Sequence, residues 1–192
     1  MQDLDYSVTY LSNKNVGTAK VVICGKGVYT NSLTKTFTIR PETMASAVIT
    51  GCKAKYSYTG KQVKPLIQVV WNGKILRNNT DYTLLYKNNK KRGSAGIVVT
   101  GKGNYSGTLT ASFTIVRASV KKASVTGLKA VYARTGKAVK PKVTVKLGGK
   151  KLKKKRDYIL SYRKNKKKGT ALLYVKGVGN YSGTKKMKFK IR

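Results

Sequence analysis

Histidine is absent from the 192-residue sequence, and acidic side chains number only five. The first absence removes the commonest general base, a common metal ligand and the usual charge switch near neutral pH. Five acids leave little from which to build a carboxylate pair or an oxygen cage for a hard cation. No apolar run approaches the roughly 20 residues of a membrane span. The opening stretch MQDLDYSVTY lacks the basic-then-apolar layout of a signal peptide, so an export signal is expected to lie outside this chain. Against these absences stand 42 Lys and Arg residues, a formal charge of +37, 13 tyrosines and 40% hydrophobic residues. That apolar content argues for a folded chain in spite of the charge. Composition thus disfavours an enzyme, indicates no cofactor, and favours a β-rich basic binding or structural module.

The strongest pattern is internal repetition. Asp5-Tyr6, Asp81-Tyr82 and Asp157-Tyr158 stand 76 residues apart, as do Tyr29, Tyr105 and Tyr181, and Phe37, Phe113 and Phe189. The step holds without insertion or deletion, which defines units 1–40, 41–116 and 117–192, the first lacking its opening positions. This truncation reads as the C-terminal piece of a longer protein. Leu109, Ala111, Phe113 and Ile115 alternate with Thr110, Ser112 and Thr114, the period of a strand with one buried face. Met187, Phe189 and Ile191 repeat the inward set. Asn72-Gly73 is the preferred residue pair of a two-residue type I′ hairpin turn, and Gly148-Gly149 replaces it one step on. No window carries a capped 3.6-residue period. Six or seven short strands per full unit, closely spaced, predict an all-β fold of tandem antiparallel β-sandwich repeats, each of 76 residues. The truncated unit is expected to keep three strands and to expose an apolar face unless it leans on a neighbour.

The order Tyr-x-x-Thr-Gly-Lys-x-Val-Lys-Pro, Asp-Tyr, Gly-x-Gly-Asn-Tyr-Ser-Gly and Phe-x-Ile runs from Tyr56 to Ile115 and again from Tyr132 to Ile191. It resembles the tandem Ig-like repeats of Gram-positive cell-surface proteins, most familiar from gut clostridia. The resemblance implies an Ig-like sandwich in a secreted, surface-attached protein, where such repeats follow a catalytic, leucine-rich or adhesive region and act as stalks or attachment modules. It is nearly silent on ligand.

Charge is distributed unevenly along the units. The net charge is +3 in 1–40, +9 in 41–116 and +25 in 117–192. In the last unit Lys150, Lys151, Lys153, Lys154, Lys155 and Arg156 form one run, and Arg163, Lys164, Lys166, Lys167 and Lys168 form another. Lys186, Lys188 and Lys190 add a stripe on the outward face of the final strand. Such a concentration is either a solvated face or a polyanion site, and self-repulsion on this scale favours the latter, because a bound anion would offset it. Lysine outnumbers arginine 34 to 8. Arginine's rigid fork suits bidentate readout, whereas lysine acts as a mobile point charge. The patch should therefore read charge density. An anionic cell-wall polymer such as teichoic acid is the expected partner, ahead of nucleic acid, for which no recognition motif is present. The competing class is an adhesin gripping a host protein or glycan, such as an immunoglobulin or mucin, with Trp71 as a contact.

Eleven tyrosines recur at the 76-residue step, which favours packing over a ligand platform. Asp5, Asp81 and Asp157 are expected to cap a turn or bind a nearby lysine. Cys24 and Cys52 do not recur; position 24 reads as exposed and position 52 as buried, and a bridge between them is left open.

Overall fold

The computed structural model describes all 192 residues. It is all-β: it contains no α-helix, and its one helical element is a 3-10 turn at Val120–Lys122. Packing divides the chain into two compact units that interleave along the sequence. One comprises Met1–Cys52, Pro65–Lys87 and Gly96–Ser112; the other comprises Lys53–Lys64, Asn88–Ala95 and Phe113–Arg192. This division differs from the 76-residue step, since it falls inside the strands Gly93–Gly101 and Thr108–Val116.

Strand bounds nonetheless follow the sequence period. Tyr6–Leu11, Tyr82–Lys87 and Tyr158–Arg163 begin and end at equivalent positions, as do Gly17–Gly25, Gly93–Gly101 and Gly169–Gly177. Alternation dictates these strands: in Gly169–Gly177 the residues Ala171, Leu173 and Val175 are buried, and in Thr184–Ile191 so are Phe189 and Ile191.

The unit that ends at Arg192 has a sandwich-like core. One sheet orders Val131–Tyr132, Thr184–Ile191, Gly169–Gly177 and Tyr158–Arg163; the other orders Ser124–Thr126, Thr144–Leu147 and Lys150–Lys151. Val145 and Leu152 from the three-stranded side meet Leu173, Val175, Phe189 and Ile191 in one buried cluster. Each fully buried aliphatic or aromatic side chain contributes about 1.5–3 kcal/mol relative to exposure. The hairpin at 148–149 has both glycines at positive φ (55° and 77°), as do Asn72 and Gly73 (44° and 75°), the geometry of a type I′ turn.

Two features depart from a purely antiparallel sandwich. Ala118–Ser119 pairs parallel with Tyr181–Ser182, and Val131–Tyr132 pairs parallel with the end of Thr184–Ile191. Equivalent parallel pairs join Glu42–Thr43 to Tyr105–Ser106 and Lys55–Ser57 to Thr114–Val116. Side-chain periodicity reports which face is buried and not which strand lies alongside, so these pairings were invisible to it.

In the other compact unit, Tyr6–Leu11, Gly17–Gly25 and Ser32–Ile39 form an antiparallel meander. Its apolar face is partly open: Leu33 is 52% exposed and Phe37 41%, whereas Phe113 and Phe189 are each 2% exposed. The tip of its first hairpin rests on a glycine-rich turn, where the Val16 amide donates to Asn104 Oδ1 at 2.8 Å and Asn104 Nδ2 donates to Asn15 Oδ1 at 2.9 Å. In the unit that ends at Arg192, the tip at 88–93 makes a comparable contact through Arg92 Nη1, which donates to the Gly179 carbonyl at 3.3 Å. Cys24 is exposed and Cys52, which sequence placed inside, is only half-buried; no disulfide joins the two.

Candidate polyanion-binding surface

Every lysine and arginine singled out in 117–192 is solvent-exposed, and the strands decide how they group. Lys186, Lys188 and Lys190 alternate with Met187, Phe189 and Ile191, so burial of the apolar set turns all three ammonium groups outward. At about 3.4 Å of rise per residue they stand about 6.8 Å apart. Lys190 pairs with Thr170, and Thr170 lines a concavity of about 550 Å3 together with Lys164, Lys166, Lys167 and Lys168. The stripe and the 163–168 tip therefore form one continuous surface. Asn165 fixes the tip: its Nδ2 donates to the Val139 carbonyl at 2.8 Å, and the Val139 amide donates to the Asn165 carbonyl at 2.7 Å. Arg163 lies with its guanidinium carbon 5.7 Å from the Tyr174 ring centre, on the face that carries Lys186.

The second run stands apart. Tyr158–Arg163 carries 150–156 at one end and 163–168 at the other, a separation of roughly 17–20 Å for six extended residues. Leu152, 3% exposed, anchors this run to the core. Lys155 adopts a positive φ of 71°, its amide donating to the Tyr158 carbonyl at 2.7 Å.

Arg156 differs from its neighbours. Its Nε and Nη2 donate to the two oxygens of Asp157, each at 2.9 Å, and the Lys153 amide donates to the same carboxylate at 2.8 Å. The hydrogen bonds from Arg156 hold the Asp157 carboxyl below its usual range, against the opposing effect of burial, and raise the guanidinium in turn. Asp81 likewise accepts from the Arg77 amide at 2.8 Å, and Asp5 meets the N-terminal ammonium of Met1. The retained acid is thus a turn clasp whose charged partner is Arg156 for Asp157, Arg77 at 4.0 Å for Asp81 and the terminus for Asp5, and no lysine ammonium bonds it.

The recurring tyrosines pack in 41–192, whereas Tyr10 and Tyr29 in 1–40 are more than half exposed. Tyr82 and Tyr158 are each 4% exposed, Tyr86 and Tyr162 donate to the carbonyls of Pro65 and Pro141, and Tyr56 and Tyr132 meet Phe113 and Phe189 edge-on. Trp71 is half-buried, edge-on to Tyr105 at 5.4 Å, with its Nε1 donating to the Thr43 carbonyl at 3.0 Å. Lys74 donates to the Tyr105 hydroxyl at 3.0 Å, which raises its ammonium above the ordinary value.

Two aromatics escaped the sequence reasoning. Tyr58 and Tyr174 are the tyrosines that do not recur, and each carries a cation from the basic segment: Lys150 Nζ lies 5.9 Å from the Tyr58 ring centre, and Arg163 covers Tyr174. Their breach of the 76-residue step was the signal available to find them.

Fold and surface together define a class: an all-β, sandwich-like protein with a lysine-rich face of strand and hairpin origin. No family model, no curated protein and no solved structure matches the chain.

Proposed function

We propose that this chain is a non-enzymatic region of a secreted bacterial surface protein, in which 117–192 holds an anionic cell-envelope polymer of the teichoic acid kind and the preceding repeats act as a stalk. The surface location and the Ig-like identity of the repeats rest on the motif shared by 56–115 and 132–191. The polymer rests on one observation: the basic excess of 117–192 is spread over exposed lysines that join into a surface, Lys164, Lys166, Lys167 and Lys168 meeting the Lys186, Lys188 and Lys190 stripe through Thr170.

An extended polyanion lying along that stripe meets a cation about every 6.8 Å, as strand geometry spaces alternate side chains. Each exposed pair contributes roughly 0–1 kcal/mol, so affinity comes from number and from counterion release. Sedimentation of the full chain with cell walls, before and after removal of their teichoic acid, tests the reading. The expected result is co-sedimentation that disappears with the teichoic acid and with a variant in which Lys164, Lys166, Lys167, Lys168, Lys188 and Lys190 are changed to Gln. Retention unaffected by both changes would move the account to a host-protein or glycan binder.

A further inference from the structure

A groove of about 500 Å3 opens in the compact unit that ends at Arg192, lined by Tyr58, Ser119, Lys122, Leu147 and Tyr181 among others. The sibling segment explains why it exists. Trp71, Thr43 and Tyr105 stand 76 residues before Leu147, Ser119 and Tyr181. In the sibling, the indole lies edge-on to Tyr105 and donates to the Thr43 carbonyl. Leucine at position 147 removes both a ring and an N–H donor. Tyr58 replaces part of that cover, edge-on to Tyr181 at 5.8 Å, and the remaining space is the groove.

Lys122 lines the groove, Lys150 stands over the ring of its Tyr58, and both lysines are exposed. The Lys150 ammonium lies over the Tyr58 ring and against Gly60, where an added Cβ would come within 2.5 Å of Nζ. An apolar and aromatic floor with cations at its rim suits a ring that carries a negative charge, because an anion without a ring leaves the floor uncovered.

We infer that the groove binds one acidic sugar ring, its apolar face on Tyr58 and Leu147, a hydroxyl donating to the Ser119 carbonyl, and its carboxylate or phosphate at Lys122 and Lys150. This rests on the reading of the chain as a polyanion binder and adds that the polymer is recognised by its sugar as well as by its charge.

Titration calorimetry of the full chain at about 150 mM salt, where exposed charges are screened beyond roughly 8 Å, tests it with three probes: a galacturonate octamer, a phosphomannan oligomer and a ring-free glutamate octamer. At least one sugar oligomer should bind about tenfold tighter than the glutamate octamer, a preference of about 1.4 kcal/mol, and the tighter of the two identifies the acid. Leu147→Trp, which copies the sibling residue into the groove, should abolish that preference without lowering the melting temperature, and Tyr58→Ala should reduce it. Equal binding of all three probes, or a preference that survives Leu147→Trp, overturns the sugar site while leaving the polyanion reading in place. Failure of every probe to bind overturns both.

Discussion

At the scale of single residues, Asp157 has the clearest energetic role. Its carboxylate is buried at 4% exposure and accepts two bonds from Arg156 and one from the Lys153 amide. Hydrogen bonds to charged groups contribute about 1.5–3 kcal/mol, so Asp157→Asn should lower the unfolding free energy by about 2 kcal/mol in urea denaturation at pH 7. The sign of the pH effect follows from the depressed carboxyl. Its stabilisation is fully present above the unfolded value of about 3.9 and is lost as pH falls through the lower folded value. The gap between wild type and Asp157→Asn should therefore be smaller at pH 3 than at pH 7 in denaturation curves; an undiminished gap at pH 3 would contradict the clasp. Trp71 is the second case. Its half-buried indole packs on Tyr105 and bonds the Thr43 carbonyl, and Trp71→Ala should cost about 2–3 kcal/mol, below the 3–5 kcal/mol of a fully buried large residue. A loss under about 0.5 kcal/mol, the ordinary range for surface changes, would return Trp71 to the role of an exposed contact.

At the scale of elements, the hairpin tips share one construction and differ in charge. Asn89 Nδ2 donates to the Val63 carbonyl at 3.0 Å and Asn165 Nδ2 to that of Val139 at 2.8 Å, and the positive φ values of Asn88 and Lys164 agree (54° and 55°). Asn165→Ala removes the staple and no charge. It should lower stability by about 1 kcal/mol and speed amide exchange at 164–168 in hydrogen-exchange mass spectrometry; unchanged exchange would show that the tip is held by other means. Much of this architecture was legible beforehand, because strict alternation exposes the inner face of strands such as Thr184–Ile191, and Asn72-Gly73 specifies its own turn. The parallel pairing of Val131–Tyr132 with Thr184–Ile191 was not, since partner choice leaves no periodic trace. Nor was the meeting of Tyr58 with Tyr181, which joins residues from different repeats. The basic runs were read correctly as exposed, and their place at the two ends of Tyr158–Arg163 follows from the single strand that lies between them, yet the engagement of Arg156 by Asp157 needed three dimensions.

At the scale of the whole molecule, a formal charge of +37 against five acids makes self-repulsion the dominant long-range field. Screening it should stabilise the fold. The Debye length shortens from about 30 Å at 0.01 M to about 8 Å at 0.15 M salt, so the melting temperature should rise across that interval, and the variant with six lysines changed to Gln should rise less. A melting temperature indifferent to salt would mean that the charges are already compensated within the fold. A polymer that binds through the same lysines displaces counterions, and the logarithm of its affinity must then fall linearly with the logarithm of salt concentration. The most direct measurement of the central claim is the affinity of the full chain for purified teichoic acid across a salt series, beside the six-lysine variant. The account predicts a steep linear decline for the native chain and a markedly shallower one for the variant. An affinity independent of salt, or equal slopes for the two proteins, would contradict it.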